Sequence, residues 1–473
     1  MQPTYLFYDI ESTGIDKCFD QVLQFAAIRT DLDLNEIERV DFMVQLSADT
    51  IPSAMATMTH HISLNACKKG LNELEAIEKI HHIMNKPGTI SLGYNTLTFD
   101  DEFLRFSFYR HLLPPYTHQF KHQCARMDLY PMTVMYYLYK PEVLTWPTRD
   151  NKPTMKLEEI SRTNQLATGR AHDAMVDVEA TLALAKRFKK EEAMWHYVLG
   201  YFDKTVEKRR LNQLPITLTS QYGTHREGLM ILGRFGSRNN YCSAVLDLGE
   251  HRHYKNQHIW LRLDLPELNT VKSEMDSIKK NTWVMHKKLA EPGFILPNIN
   301  RFNQHLSEEK KQIINTNITF LNENPSVFHA LIDYHLDDKY SVFPETDPQA
   351  GLYQSQFWTP KETQLCEQFH QGDPNTKRDI IARFDNPDLI EMATRLMGRH
   401  FPELLKGDAH NRYQDHLAKT QSRQKETLAI DFRGNARYGI TNLIDDITTL
   451  RQNPSLSNEQ LALLDELEVY VAV

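Results

Sequence analysis

Along the first 190 residues the apolar positions change period several times, and each change predicts a different element. Residues 5–9 and 22–29 are short apolar runs, and 40–46 alternates apolar with polar as a half-buried strand does. Residues 73–84 repeat their apolar positions at helical spacing, and Pro87 with Gly88 ends that helix. A short buried-strand run at 89–93 leads to helices expected over 101–111, 128–139, 156–164 and 173–188. Strands first, then strand–helix alternation, predict an α/β fold: a mixed sheet flanked by helices.

The texture then shifts. Charged stretches at 186–192 and 204–210 end the first region. Beyond them 216–219, 228–232, 242–248 and 258–263 are short β-like runs separated by Gly, Asn and His turns, the pattern of a small β-rich domain. The Pro and Gly content of 343–351 marks a linker, and 352–473 is helical in pattern, ending in an amphipathic segment at 458–470. Three domains are expected, at 1–190, 191–345 and 351–473.

Composition narrows the class. At roughly 100–200 residues per domain, 473 residues call for two to four domains. With 41% hydrophobic and 25% charged residues, a disordered or collagen-like chain is excluded. No run of 18 apolar residues is present, so no membrane helix is expected, and Asp9 stands where a secretory leader would be apolar. Five cysteines (Cys18, Cys67, Cys124, Cys242, Cys366) are odd in number, scattered and free of any C-x-x-C, which suggests neither disulfides nor a zinc site. A cytoplasmic, reduced protein is expected. The net charge of -8 argues against a general basic coat for nucleic acid, although a local positive path would suffice. Residues 186–211 carry eight Lys/Arg against four Asp/Glu, whereas 441–473 carries one against six, so the chain is polarised.

The candidate chemistry lies in four carboxylates and one histidine. Asp9 and Glu11, two apart on the first strand, point to the same face. Asp100 lies at the exit of a strand and the entrance of a helix, and Asp101 and Glu102 are assigned to the helix start, where carboxylates are favoured. His172 and Asp177 are five apart, about 140° beyond a full turn of an ideal helix, so they cannot share a helical face. Their geometry works if Asp173 caps the helix, His172 precedes it in a loop, and Asp177 points inward from the first turns. Four clustered carboxylates repel one another unless divalent cations neutralise them. Mg²⁺ suits hard oxygen ligands, and two such ions ~4 Å apart stabilise both the attacking and the leaving oxygen of a phosphodiester displacement. A histidine of ordinary pKa ~6.5 can take the proton of the attacking water. The pairs His60 and His61, and His81 and His82, are read as surface residues.

In order, these three motifs resemble the DEDD exonuclease superfamily, in its histidine-containing subgroup. The stretches 25–31, 93–95, 99–102, 108–110 and 171–175, with 352–357 and 399–402 further on, are similar to the bacterial exodeoxyribonuclease I family. That resemblance implies an RNase H-like exonuclease core, an SH3-like domain and a helical C-terminal domain, acting 3′→5′ on single-stranded DNA in repair and recombination. It implies two Mg²⁺ ions on Asp9, Glu11, Asp100 and Asp177, and His172 beside them as a catalytic residue. Glu11 and Lys156 then contact substrate, with Lys156 standing where the family has arginine and Ser12 where it commonly has threonine. It also implies a monomer and, as a partner, the single-stranded DNA-binding protein, whose acidic tail Lys121, Arg126, Lys140 and Arg149 could receive. The alternatives are an exoribonuclease of the same superfamily and a non-catalytic nucleic-acid-binding module.

Overall fold

Nine residues, Thr4–Ser12, form strand β1, around which the first part of the chain is organised. In the computed structural model, which describes residues 2–472, β2 (Val22–Thr30) pairs antiparallel with β1, and β3 (Glu36–Met43) pairs antiparallel with β2. On the other side of β1, β4 (Thr89–Leu92) and β5 (Ala125–Arg126) add in parallel, giving the order β3-β2-β1-β4-β5. All nine residues of β2 are buried, as befits a strand covered on both faces. β3 lies earlier than the alternation at 40–46 suggested, because its charged first residues form an exposed sheet edge that carries no apolar signal.

Leu6, Tyr8 and Ile10 on one face of β1 pack with Ile77, Ile80, Phe103 and Phe108. Ile77 and Ile80 come from the helix Glu73–Met84, whose buried positions recur at helical spacing and whose N-cap Asn72 accepts the Glu75 N–H. Phe103 and Phe108 come from the helix Asp100–Arg110. The opposite face of β1 presents Asp9 and Glu11.

The chain divides into two compact units. The first runs from the amino-terminal end to Arg126, takes in Ala167–Leu182, and resumes at Ser341. Its later part is helical: Pro360–Gln371, Pro374–Ile381, Pro387–His400, Gly407–Thr420, Ile440–Arg451 and Asn458–Ala472. Three of these helices begin with Pro behind a capping Thr359, Asp373 or Asn386, a pairing that uses the missing proline N–H where no helical partner exists. Leu365, Phe369, Leu389, Met392, Leu396 and Tyr413 from this part share one core with Phe106, Tyr109 and Leu112. Asp49 is buried beside them. Its carboxylate accepts Arg399 Nη2 at 2.7 Å and pairs with His416 Nε2 at 2.8 Å, while its carbonyl accepts Arg437 Nη2 at 2.9 Å. Burial alone would raise the Asp49 carboxyl, but the Arg399 guanidinium and His416 hold it well below the usual range.

The second unit comprises Met127–Leu166 and Ala183–Tyr340. Ile216–Ser220, Gly223–Ile231, Cys242–Glu250 and His258–Arg262 are strands over the four runs read from sequence, with ends displaced by up to five residues. Two short strands, Val284–Lys287 and Phe294–Leu296, complete the sheet around Met230, Val245, Trp260 and Ile295. Helices Glu308–Glu323 and Pro325–Asp337 follow, so this stretch is less purely β than its turns implied. All five cysteines are free and buried. Among the described residues no helix is long and apolar enough to cross a membrane.

Candidate active site

The register of β1 on β2 opens space beside its acidic face. Asp9 stands opposite Ala26, whose small side chain leaves room, and Glu11 stands opposite Gln24. Gln24 Oε1 accepts the N–H of Ala174, the first residue of the helix Ala174–Lys189, at 3.2 Å and so ties that helix to the same face. Asp173 Oδ1 accepts the N–H groups of Met175 and Val176 at 3.0 and 3.4 Å, satisfying donors that the helix start leaves over. Asp177 lies in the first turn, and its Oδ2 accepts the N–H of His172 at 3.3 Å. His172 itself has φ +62, a left-handed backbone that reverses the chain just before the helix. Glu11, His172 and Asp177 each offer a ligand atom within 4.8 Å of the others.

Asp100, the first residue of its helix, is buried and acts electrostatically on both β1 carboxylates. Burial, then the charges of Asp100, Glu11, Asp177 and Asp173, push the Asp9 carboxyl well above its usual range. Burial, then Asp177, Asp100 and Asp173, push Glu11 up to about 9. A set of hard oxygen donors that cannot all ionise together, with an imidazole at its rim, is chemically matched to divalent cations.

Asp101 has different company. It is fully buried, accepts Arg126 Nη1 at 2.6 Å, pairs with His118 Nε2 at 3.0 Å and lies 3.3 Å from Arg105 Nε. Although burial opposes it, Arg126 and His118 keep the Asp101 carboxyl ionised below the usual range. Arg126 is therefore engaged inside the fold. Lys140 likewise pairs with Glu191 at 2.9 Å, whereas Lys121 and Arg149 are exposed. Lys156 belongs to the second unit, where it is the N-cap of the helix Leu157–Asn164, with Nζ exposed and 3.8 Å from Glu158.

The surface reading of the histidine pairs holds only for His82. His60 is buried, and His61 and His81 are half-buried. His60 ends the short helix Ala54–His60, and its Nδ1 accepts the Ile62 N–H at 2.9 Å. Burial, then the neighbouring His61 and His172, push His60 down to about 4, so it is a neutral neighbour of the site. His81 packs edge-on against Phe108. The seven-residue helix that His60 ends leaves too little periodicity to announce its burial. Thr13, next to the cluster, donates to Asp20 Oδ1 at 2.8 Å, and burial and Asp16 raise Asp20 to about 6.

Comparison with known proteins adds independent findings. The Exonuclease family model (RNase_T) matches residues 6–185, and the Exonuclease I C-terminal domain model matches 346–473. The exodeoxyribonuclease I of Haemophilus influenzae is 31% identical over 293 residues, a match spanning 61% of this chain and 60% of that protein. The exodeoxyribonuclease I of Escherichia coli is 26% identical over 495 residues, covering 99% of this chain and 98% of that one. A crystal structure of E. coli exonuclease I in complex with a dA16 oligonucleotide has TM-score 0.84 at 24% identity, covering 100% of this chain and 99% of that one. The same E. coli enzyme has been solved in a zinc-bound form with single-stranded DNA (TM-score 0.84, 24% identity, 100% and 99% covered). A crystal structure of SSB/exonuclease I in complex with an inhibitor has TM-score 0.82, with the same identity and coverage.

Proposed function

Because the chain belongs to the exodeoxyribonuclease I family, we propose that it degrades single-stranded DNA 3′→5′ to 5′-mononucleotides, in DNA repair and recombination. The observation that carries this reading is the meeting of Asp9, Glu11, Asp100 and Asp177 with His172 on one side of β1, where burial and the neighbouring carboxylates raise the proton affinity of Asp9 and Glu11. Asp9, Glu11, Asp100 and Asp177 would hold two Mg²⁺ ions. Bound there, the ions supply charge neutralisation and Lewis acidity at the scissile phosphate.

The chain's own residues do the rest. His172 accepts the proton of the attacking water from its place before the helix Ala174–Lys189. The hydrogen bond from its N–H to Asp177 anchors its backbone to a carboxylate of the cluster. Glu11 contacts the terminal nucleotide as well as metal. Lys156 contacts a substrate phosphate as a point charge, without the two-point grip of an arginine.

The three-domain division at 1–190, 191–345 and 351–473 fits a self-contained strand-capturing enzyme, and the ends of the two family models support it. The partner is the single-stranded DNA-binding protein, a reading supported by the SSB/exonuclease I structure, with exposed Lys121 available to its acidic tail. The protein acts as a monomer in the cytoplasm.

The test is the product pattern from 3′- and 5′-labelled single-stranded DNA and RNA, with Mg²⁺ and with EDTA. Mononucleotides released from the 3′ end of DNA, abolished by EDTA, are expected. Equal degradation of RNA would make the protein an exoribonuclease, and strand binding without hydrolysis would leave only a binding module.

A further inference from the structure

The loop that carries His172 is fixed from its downstream side by the helix it introduces. There the His172 N–H meets Asp177, Asp173 caps the helix, and Gln24 holds Ala174. On the upstream side Thr168, Gly169 and Arg170 are exposed. Arg170 makes a two-point contact with a residue 289 positions away: Nη1 donates to Glu459 Oε1 at 2.8 Å and Nη2 to Oε2 at 3.1 Å. Glu459 stands in the first turn of the helix Asn458–Ala472, and its Oε2 is 3.9 Å from His61 Nδ1. That helix also contributes Leu464 and Leu467 to a core with Ile51 and Ala54, so the segment leading to His60 and His61 is braced by the same element. His60, His61, Arg170, His172, Asp173 and Glu459 line one cavity of about 620 Å³ beside the carboxylates.

We propose that Glu459 is a positioning residue for the reaction: through Arg170 it holds His172 against the carboxylate cluster, so that the last helix completes the active site. The proposal rests on the reading of His172 as the proton acceptor.

A left-handed backbone at a β-carbon-bearing residue such as His172 is unfavourable and persists only where its surroundings enforce it. One flank of the loop is enforced by the helix. The other needs a tether, and a bidentate arginine–carboxylate pair supplies direction as well as attraction. Without it the upstream backbone can relax, and a change of φ at residue 172 swings the imidazole away from the cluster. The pair is half-exposed, with side chains 52% and 50% accessible, so its effect is modest. Exposed pairs shift an equilibrium by roughly 2–5-fold, far below the loss expected on removing the imidazole itself.

The experiment is a double-mutant cycle on the full-length protein with Mg²⁺ and single-stranded DNA. Glu459→Gln should lower kcat about 2–5-fold, leave KM and the melting temperature unchanged, and speed amide hydrogen exchange over residues 167–172. The reversed pair, Arg170→Glu with Glu459→Arg, should recover most of the loss that either charge reversal causes alone. In a His172→Ala background Glu459→Gln should cost nothing further, because the residue it positions is gone. An equal loss in both backgrounds, or a loss tracking a lower melting temperature, would overturn the positioning role. Wild-type kcat and exchange in Glu459→Gln, beside a crippled His172→Ala, would overturn the positioning role alone. Near-normal turnover in His172→Ala would overturn the proton-acceptor reading and this inference with it.

Discussion

Replacing Glu11 by Gln should make the metal-free protein more stable while destroying its activity. Burial and the carboxylates of Asp177, Asp100 and Asp173 raise Glu11 from an ordinary 4.5 to about 9. In the unfolded chain the group ionises near its ordinary value. Between those two values the folded state binds a proton that the unfolded state has lost, so stability is full below about pH 4.5 and falls as pH rises toward 9. At about 1.4 kcal/mol per pH unit, the cost to the folded state at pH 7 is at most about 3 kcal/mol. Glu11 keeps part of its surface open, and solvent screening brings this to about 1–2 kcal/mol. Gln carries no charge and escapes the cost. Thermal unfolding in EDTA at pH 7 should therefore show Glu11→Gln melting about 1–2 °C above wild type. At pH 4.5 the gap should close. Millimolar Mg²⁺ should lift the wild type past the variant, since only the intact cluster gains fully from the cation. A variant that melts at or below wild type in EDTA at pH 7 would refute the like-charge reasoning.

Asp9→Ala, Asp100→Ala and Asp177→Ala should each nearly abolish hydrolysis while single-stranded DNA binding survives, and normal Mg²⁺-dependent turnover in Asp100→Ala would show that the third carboxylate is misassigned. Asp101→Ala should act through stability instead, costing about 3–5 kcal/mol by removing the buried carboxylate that Arg126 and Arg105 pair with, and an unchanged melting temperature would contradict this. His172→Ala should cut turnover by roughly 10²–10⁴-fold at an unchanged melting temperature, and a rate loss matched by a large drop in melting temperature would take His172 out of the mechanism. Asp49→Ala should lower the melting temperature at neutral pH and flatten the acid side of the stability curve. The wild-type carboxylate contributes its full stability above about 3.8 and loses it as pH falls through its depressed folded value; a parallel curve in the variant would reject that.

Much of this fold is legible in local patterns. The helix Glu73–Met84 appears residue for residue in its apolar spacing, because Asn72 caps it and Pro87 and Gly88 stop it. The shared face of Asp9 and Glu11 follows from a period of two, and the loop position of His172 from the cap at Asp173. What stays hidden has no local signature. The helix Ala54–His60 spans only seven residues, and helices Glu192–Leu199 and Lys204–Asn212 lie within a charged stretch that reads as a boundary. The partners of Asp101 stand up to 25 residues away, and the partner of Arg170 is 289 away. Burial of His60 is likewise decided by tertiary neighbours rather than by its own segment.

The shared core around Phe106 and Tyr109 sets a schedule for biosynthesis. Those side chains are covered by Leu365, Phe369, Leu389 and Tyr413, which are translated about 300 residues after them. At roughly 5–20 residues per second, a nascent chain waits about 15–60 s with the helix Asp100–Arg110 open on that side, and Asp100 at its head is unsupported for as long. A ribosome-bound or prematurely terminated product thus lacks a finished cluster. Translation order delays completion of this core until the residues up to Tyr413 have emerged.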